Sequence, residues 1–159
     1  SALNETFVLA KKRAPITIEL ITKLHRDLMK ELIKDGLGAL RDDHVFVGHK
    51  TKMEIVIKHN PPYHTVAEIK EHLEELNTWV MAEDQIHPLV KAGIYHHQFV
   101  YLHPFFDGNG RLARILTSYY LLLKKYEVDK YFILDDYYDI DREGYSNMLH
   151  STDNRFPRA

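Results

Sequence analysis

The chain has 159 residues, no cysteine and a formal net charge of -2. The length suits one domain with its own core, and the lack of cysteine excludes disulfides and thiolate metal sites and suits a reducing compartment. The weak charge gives no strong field toward nucleic acid or an anionic membrane, and no apolar run could span a bilayer, so we expect a cytoplasmic protein.

Four segments carry apolar residues at helical spacing and are predicted to be helices: 16–34, 65–83, 88–102 and 111–126. In the first, Leu20, Leu24 and Leu28 recur every fourth residue after Pro15, which suits a first helical turn. The third is mostly apolar, so we expect it in the centre of the domain. A shorter helix is predicted at 141–152. The predicted fold class is therefore mainly α.

Residues 44–62 follow a different pattern. Two β-branched runs, Val45–Val47 and Met53–Ile57, flank a turn that contains Gly48. We interpret this segment as a β-hairpin, with an irregular loop as the alternative. A hairpin on a helical domain has exposed edges, and an exposed edge can pair with an extended peptide of another protein.

Between the third and fourth predicted helices lies a polar stretch, HPFFDGNGRLAR, at residues 103–114. A residue before proline leaves helical geometry, so the third helix is expected to end at His103. The turn that follows allows left-handed backbone geometry, and its amide groups can converge on an anion. The positive end of the next helix points into the same space. The backbone alone therefore predicts a phosphate site, formed by Gly108, Asn109 and Gly110.

The side chains of this stretch also suit a polyphosphate. Arg111 and Arg114 lie three residues apart on the predicted helix, beside its apolar stripe, and guanidinium groups match phosphate oxygens. Asp107 is the one carboxylate of the loop, and a single carboxylate beside phosphates is a typical ligand of Mg²⁺. His103 is the one group there that can accept a proton near neutral pH. Each residue alone has an ordinary structural explanation, but together they serve one ligand.

The stretch resembles the signature of the Fic family, H-P-F-x-[D/E]-G-N-G-R-x-x-R, at all nine fixed positions. The surroundings are similar too, with helices on both sides, an upstream hairpin and a downstream helix. The resemblance spans most of the chain and implies a single Fic domain over 1–159, with a Fic-like helical bundle. It also implies a hairpin flap at 44–60 and an active-site loop and helix start at 103–114.

Fic proteins mostly transfer AMP from ATP to a hydroxyl group of a target protein. The resemblance therefore implies a Mg²⁺-dependent protein adenylyltransferase that modifies Ser, Thr or Tyr. His103 would take the proton of the target hydroxyl, and Asp107 would hold Mg²⁺ between the α- and β-phosphates. The 108–110 turn would cradle the phosphates, Arg111 would neutralise their charge and Arg114 would hold the γ-phosphate.

The resemblance also implies how the partners bind. Residues around Met53–Ile57 would pair with the backbone of the target protein and present its hydroxyl to His103. Tyr145 matches the position of the family's adenosine contact, with a core tyrosine as the alternative. Neither a membrane nor a nucleic acid is expected as a partner, and a homodimer is left open.

Regulation is where the sequence departs from the family. Many relatives carry an inhibitory helix, [S/T]-x-x-x-E-[G/N], whose glutamate binds the equivalent of Arg114. Ser1 and Glu5 have this spacing, but Thr6 breaks the last position. The inhibitory segment is thus either degenerate, altered or truncated, with residues 1–13 as its remnant, or it is supplied by another chain. We expect the chain to lack effective self-inhibition.

Two other classes of function compete with adenylyl transfer. His96 and His97 precede the loop, so a histidine-based metal hydrolase could be built with His103 and Asp107. Adjacent histidines point to different faces of a helix, however, and no HExxH spacing occurs. The other class is a module that binds a nucleotide and a partner without chemistry. The intact His103 and Asp107 argue against it, because a binding module needs no base.

Overall fold

The computed structural model describes residues 8–10, 12–50, 54–126, 144–145, 147–148 and 151. Its main elements are, in chain order, α1 (Ile18–Met29), β1 (Val47–Lys50), β2 (Ile55–His59), α2 (Val66–Met81), α3 (Pro88–Leu102) and α4 (Asn109–Leu123). The predicted mainly helical class with a small hairpin is confirmed. Within the described residues, none of the helices has the length and apolar character needed to cross a bilayer.

Three predictions fall wholly or partly beyond the described residues, one of which is the target contact around Met53–Ile57, because Met53 lies outside them. The inhibitory spacing from Ser1 to Thr6 lies outside them, as does much of the helix predicted at 141–152. The described residues of that last segment are helical.

Local signals explain where α1 begins. Thr17 is the N-cap, and its Oγ1 accepts the N–H of Leu20 at 3.2 Å, which satisfies one of the unpaired donors of the first turn. The periodic leucines Leu20 and Leu24 then enter the core together with Ile21. The periodicity therefore correctly identified the buried face.

The end of α1 differs from the prediction, which carried the helix on to residue 34. The helix ends at Met29, and the next leucine of the pattern, Leu32, is 59% exposed. The chain folds back instead, and the N–H of Gly38 donates to Nδ1 of His25 at 2.9 Å. Gly38 has a φ of +72°, and a Cβ there would lie 2.8 Å from the carbonyl oxygen of Thr22. Only glycine permits this approach.

The strands β1 and β2 form an antiparallel hairpin, as the sequence predicted, with Val47 opposite His59. The predicted position of the turn is wrong, because Gly48 lies within β1 and pairs with Ile57. The register shifts between Val47 and Gly48. Glycine is tolerated in a strand at such an irregularity, where the ladder bends and no side chain has to pack.

The remaining helices pack with α3 between α2 and α4. A capping box starts α2: Thr65 Oγ1 accepts the N–H of Glu68, and Glu68 Oε2 accepts the N–H of Thr65. The predicted bounds of these three helices agree with the observed ones to within three residues. The predicted central place of α3 is confirmed, although its outer face exposes Leu89, Val90 and Ile94.

The core lies beneath the connection from α3 to α4. Its fully buried members include Ile21, Leu24, Leu73, Tyr95, Phe99, Phe105, Leu112, Leu116 and Tyr119. Inside it, the hydroxyl of Tyr95 donates to Oδ1 of Asn77 at 3.0 Å, so the polar end of this tyrosine is satisfied. Because Phe105 belongs to the core, the core itself fixes the polar loop that follows α3.

We expect Gly38→Ala to lower the free energy of unfolding by about 1–3 kcal/mol, since it adds both a strained φ and a clash with backbone. Gly93→Ala is the matched control, because a Cβ at Gly93 meets nothing within 4 Å. This helical substitution should leave stability unchanged or raise it by up to about 1 kcal/mol. Urea denaturation of both variants measures the difference, and equal stabilities would contradict the packing described for Gly38.

Candidate active site

The polar loop connects the C-terminal end of α3 to the N-terminal end of α4. His103 is the C-cap residue of α3 and adopts left-handed backbone angles, with φ 50° and ψ 60°. This conformation is unfavourable for a residue with a Cβ and persists only where the surrounding structure imposes it. The backbone thus turns sharply at the histidine that the sequence identified as a base.

Hydrogen bonding fixes the tautomer of His103. Its Nδ1 lies 3.1 Å from the carbonyl oxygen of Val100, and because a carbonyl only accepts, Nδ1 carries the proton. The lone pair is therefore on Nε2. Burial is the main cause that lowers the pKa of His103 to about 4, so the ring is neutral at physiological pH. A neutral imidazole in this tautomer can accept a proton at Nε2.

Arg41 holds the backbone on which His103 sits. Its side chain is fully buried, and Nε donates to the carbonyl oxygen of His103 at 2.6 Å while Nη2 donates to that of Leu102 at 3.2 Å. The backbone N–H of Arg41 donates to the carbonyl oxygen of Pro104 at 2.9 Å. Burial lowers the pKa of this guanidinium, but an arginine stays protonated in a protein. A buried cation therefore satisfies the last carbonyls of α3.

The hairpin is hydrogen-bonded to the C-terminal end of α3. Nε2 of His59, on β2, donates to the carbonyl oxygen of Tyr101 at 2.7 Å. The ring centroids of His59 and His103 are 6.3 Å apart. The second strand of the hairpin thus lies directly beside the candidate base.

Two buried side chains close the loop between the helices. Oδ1 of Asn109 accepts the N–H of Phe105 at 2.9 Å, and Nδ2 donates to its carbonyl oxygen at 2.8 Å. The ring of His25 stacks on Phe105 at 3.9 Å between centroids, and its Nε2 donates to the carbonyl oxygen of Asp107 at 3.0 Å. The side chain of Asn109 therefore holds the loop in place. Asn109 is then expected to bind an anion through its backbone N–H.

The start of α4 leaves room for a ligand. Gly108 has a φ of 80°, a conformation that favours glycine, and a Cβ there would also lie 2.7 Å from Sδ of Met29. A Cβ on Gly110 would meet nothing within 4 Å, so packing does not require that one. The first backbone N–H groups of a helix have no intrahelical acceptor. Open space over unpaired donors at a positive helix end suits an anion such as a phosphate.

Asp107 offers a carboxylate at the edge of this space. Its side chain is exposed, and Oδ1 accepts the N–H of Gly108 at 2.6 Å. That bond orients the carboxylate and leaves Oδ2 for a cation. One carboxylate oxygen fits Mg²⁺ when phosphate oxygens and water supply the other ligands.

Arg111 and Arg114 of α4 flank the same space. The buried histidine His96 lies close to Arg114. Arg111 and Arg114 are half-buried and stand in sequence beside the buried residues Leu112 and Ala113, as expected of positions next to the apolar stripe. Burial is the main cause that lowers the pKa of His96 to about 4, and the charge of Arg114 adds to it. His96 and Arg114 are therefore close neighbours.

Tyr145 packs on His96. Its hydroxyl donates to Nε2 of His96 at 2.5 Å, and the two rings meet edge to face at 5.8 Å. Nδ1 of His96 in turn donates to Oγ1 of Thr117 at 3.2 Å, because that hydroxyl gives its own proton to Ala113. The structure thus brings Tyr145 to the side of the loop on which Arg114 lies, and its contact with adenosine stays a prediction.

The metal-hydrolase alternative finds little support. Within the described part of the chain, no group of three or more His, Cys, Asp or Glu residues could hold a metal ion. Both ring nitrogens of His96 are engaged in hydrogen bonds, and His97 stacks on Tyr101 on a different face of α3. The two histidines therefore make packing and hydrogen-bonding contacts on different faces of α3, as expected for adjacent helix residues.

The sequence did not single out His25, Arg41 or His59. Arg41 lies 62 positions from His103 and His25 lies 82 positions from Asp107, and no spacing rule connects residues so far apart. His59 fell within the predicted hairpin, but its contact with α3 depends on how the hairpin packs. A polar residue inside an apolar segment, such as His25 within α1, is the one signal that the sequence carried.

Known proteins resemble this chain in sequence over most of its length. The sequence model of the Fic/DOC family matches residues 15–121. The chain is 31% identical over 122 residues to "Protein adenylyltransferase Fic" of Nematostella vectensis. The matched region covers 76% of this chain and 26% of that protein. It is 32% identical over 113 residues to "Protein adenylyltransferase fic-1" of Caenorhabditis elegans, which covers 70% of this chain and 20% of that protein. The chain spans about a quarter or less of the length of these curated relatives.

Solved structures share the fold. A Fic family protein from Desulfovibrio desulfuricans G20 matches with a TM-score of 0.74 at 22% identity, over 95% of this chain and 44% of that one. Fic-1 of C. elegans matches with a TM-score of 0.61 at 27% identity, over 79% of this chain and 34% of that one.

Removing the Arg41 side chain should destabilise the whole domain, because it leaves buried carbonyls without donors. We expect Arg41→Ala to cost about 3 kcal/mol or more. Arg41→Lys should recover less than half of this loss, since an ammonium cannot place two donors in the same fork. Arg26→Ala, at an exposed arginine of α1, should cost less than about 1 kcal/mol. Urea denaturation of the three variants tests this, and a lysine as good as the arginine would contradict it.

Proposed function

Since the chain belongs to the Fic/DOC family, we propose that it is a protein adenylyltransferase, which transfers AMP from ATP to the hydroxyl group of a Ser, Thr or Tyr in a target protein. Relatives from N. vectensis and C. elegans carry the name protein adenylyltransferase. The observation that carries the proposal is the geometry of His103, a neutral imidazole with its lone pair on Nε2 at the turn into α4.

The start of α4 would hold the phosphates of ATP. The turn of residues 108–110 would cradle the phosphates, with the backbone N–H groups of Asn109 and Gly110 as donors, because the N–H of Gly108 donates to Asp107. The open space at Gly110 lets the ligand approach the backbone closely. Arg111 and Arg114 would add charge-assisted hydrogen bonds, with Arg114 on the γ-phosphate. Asp107 would hold Mg²⁺, which when bound offsets charge on the α- and β-phosphates. Tyr145 would line the adenosine pocket.

The proposed reaction needs one proton transfer and one displacement at phosphorus. The target hydroxyl oxygen attacks the α-phosphorus of ATP, and its proton passes to Nε2 of His103. A bond forms between phosphorus and the target oxygen, and the bond from the α-phosphorus to the oxygen that bridges to the β-phosphate breaks. Pyrophosphate leaves. The positive end of α4 and Arg111 stabilise the charge on the transferring group.

The hairpin would dock the target protein. Each of its two strands has an outer edge that pairs with no further strand among the described residues, and an extended peptide can add to such an edge. Phe46, just before β1, and Ile57, on β2, expose 60% and 51% of their surface. The contact of His59 with α3 would keep a docked peptide next to His103. The absence of cysteine suits the reducing cytoplasm, which we propose as the compartment.

Labelled ATP separates the proposed reaction from its alternatives. With Mg²⁺ and a cell lysate, we expect label on protein from ATP labelled at the α-phosphate and none from ATP labelled at the γ-phosphate. His103→Ala should reduce transfer by about 100-fold or more, because the base is lost. His87→Ala, at the opposite end of α3, should keep it. Transfer of the γ-label would show a kinase, and no transfer from either label in several lysates would favour a binding module without chemistry.

A further inference from the structure

A cavity of about 280 Å³ opens beside the hairpin, between α2, the last turns of α3 and the segment that joins β2 to α2. Its walls are Tyr63, His72, Glu75, Leu76, Trp79, Gln98, Tyr101 and Leu102. Tyr101 and Leu102 directly precede His103, and the carbonyl of Tyr101 accepts the hydrogen bond from His59 of the hairpin. Two of the walls are therefore contributed by the helix turn that ends at the candidate base, and one of these residues also holds the hairpin.

The walls combine aromatic rings with one carboxylate. The rings of Tyr63 and His72 stack at 3.9 Å between centroids and 16° between planes, and Trp79 and Tyr101 add two further aromatic rings. Glu75 presents the carboxylate at the mouth, with 68% of its side chain exposed. Nδ1 of His72 donates to its Oε2 at 3.2 Å, which leaves Oε1 for another donor. Among the described residues, no lysine or arginine lines the cavity.

The acidic face of α2 gives this cavity a negative field. Burial is the main cause that raises the pKa of Tyr63, and Tyr101, Glu75, Glu68 and Glu71 raise it further. Three carboxylates thus act on one wall of the cavity. A positively charged guest is favoured by this field, by the carboxylate at the mouth and by the π-faces of the rings.

We propose that this cavity is a subsite for a lysine or arginine side chain of the target protein, which makes it a specificity determinant of the proposed adenylyl transfer and rests on that function. A peptide that lies on the hairpin with its hydroxyl at His103 passes Tyr101, and a side chain close to the modified residue reaches the cavity. The aliphatic stem would pack on Leu76 and Leu102, and the charged head would meet Glu75 and the aromatic rings.

An apolar guest would use the same rings but not the carboxylate, so charge is what the experiment must isolate. The probes are synthetic peptides with one Thr and one Lys in an alanine and glycine background, with the lysine moved through successive positions. Matched peptides carry norleucine in place of lysine, which keeps the stem and removes the charge. Their affinity is measured by fluorescence anisotropy at low ionic strength without ATP, because salt screens exposed charges.

For the unaltered chain we expect one spacing at which lysine binds about five- to tenfold more tightly than norleucine. Glu75→Gln should reduce this preference to less than about twofold, since it removes the charge and keeps the shape. Glu74→Gln is the control, because Glu74 lies on the same helix, pairs with Lys70 and does not line the cavity. This variant should keep the preference. Equal affinity for lysine and norleucine at every spacing, or an unchanged preference in Glu75→Gln, would overturn the subsite.

Transfer of AMP to the same peptides separates the subsite from the reaction. With ATP and Mg²⁺, we expect the lysine preference to appear in kcat/KM, and Glu75→Gln to transfer AMP to the norleucine peptides as fast as the unaltered chain does. A lysine preference in binding with no transfer to any peptide would count against the proposed reaction and support the subsite. Transfer at equal rates to lysine and norleucine peptides would overturn the subsite and support the reaction.

Discussion

The carbonyl groups at the C-terminal end of α3 need hydrogen-bond donors, and the donors come from three parts of the chain. Nδ1–H of His103 donates to the carbonyl of Val100, and Arg41 donates to the carbonyls of Leu102 and His103. His59 of the hairpin donates to the carbonyl of Tyr101. Because a carbonyl without a hydrogen-bond partner is costly when it is shielded from water, these contacts stabilise the fold. They also set the tautomer of His103 and place the hairpin beside it. The capping of one helix thus determines the geometry of the candidate base.

The N-terminal end of α4 has the opposite polarity, because it presents N–H donors instead of carbonyl acceptors. At the start of α4 the side chain of Asn109 and the ring of His25 hold the loop from behind, through contacts with Phe105 and Asp107. The first backbone N–H groups of a helix have no intrahelical acceptor, and a Cβ at Gly110 would meet open space. The candidate base and the proposed anion site therefore lie at the two ends of one short loop, where a helix C-terminus and a helix N-terminus meet. Phosphate-group transfer requires that juxtaposition and little more from the protein.

The sequence predicted the local parts of this arrangement and missed the long-range parts. The loop, the helices around it and the flanking arginines followed from spacing, because they lie within a few turns of one another. Arg41 and His25 were missed because they act across more than 60 positions, and their role exists only after the core has formed. The predicted end of α1 was wrong because the leucine pattern continues to Leu32, whereas a contact with Gly38 turns the chain back. Periodicity records which face is buried, and it does not record where tertiary contacts stop a helix.

The state of the His103 ring can be measured directly by ¹⁵N-resolved NMR of the histidine side chains, with His103→Ala to assign the signal. We expect the Nδ1–H tautomer at neutral pH and a titration midpoint near 4, because burial lowers the pKa of His103 to about 4. The ring would then lose its ability to accept a proton only as the pH falls through that value. An Nε2–H tautomer, or a midpoint near the ordinary histidine pKa of about 6.5, would contradict the arrangement described for this site.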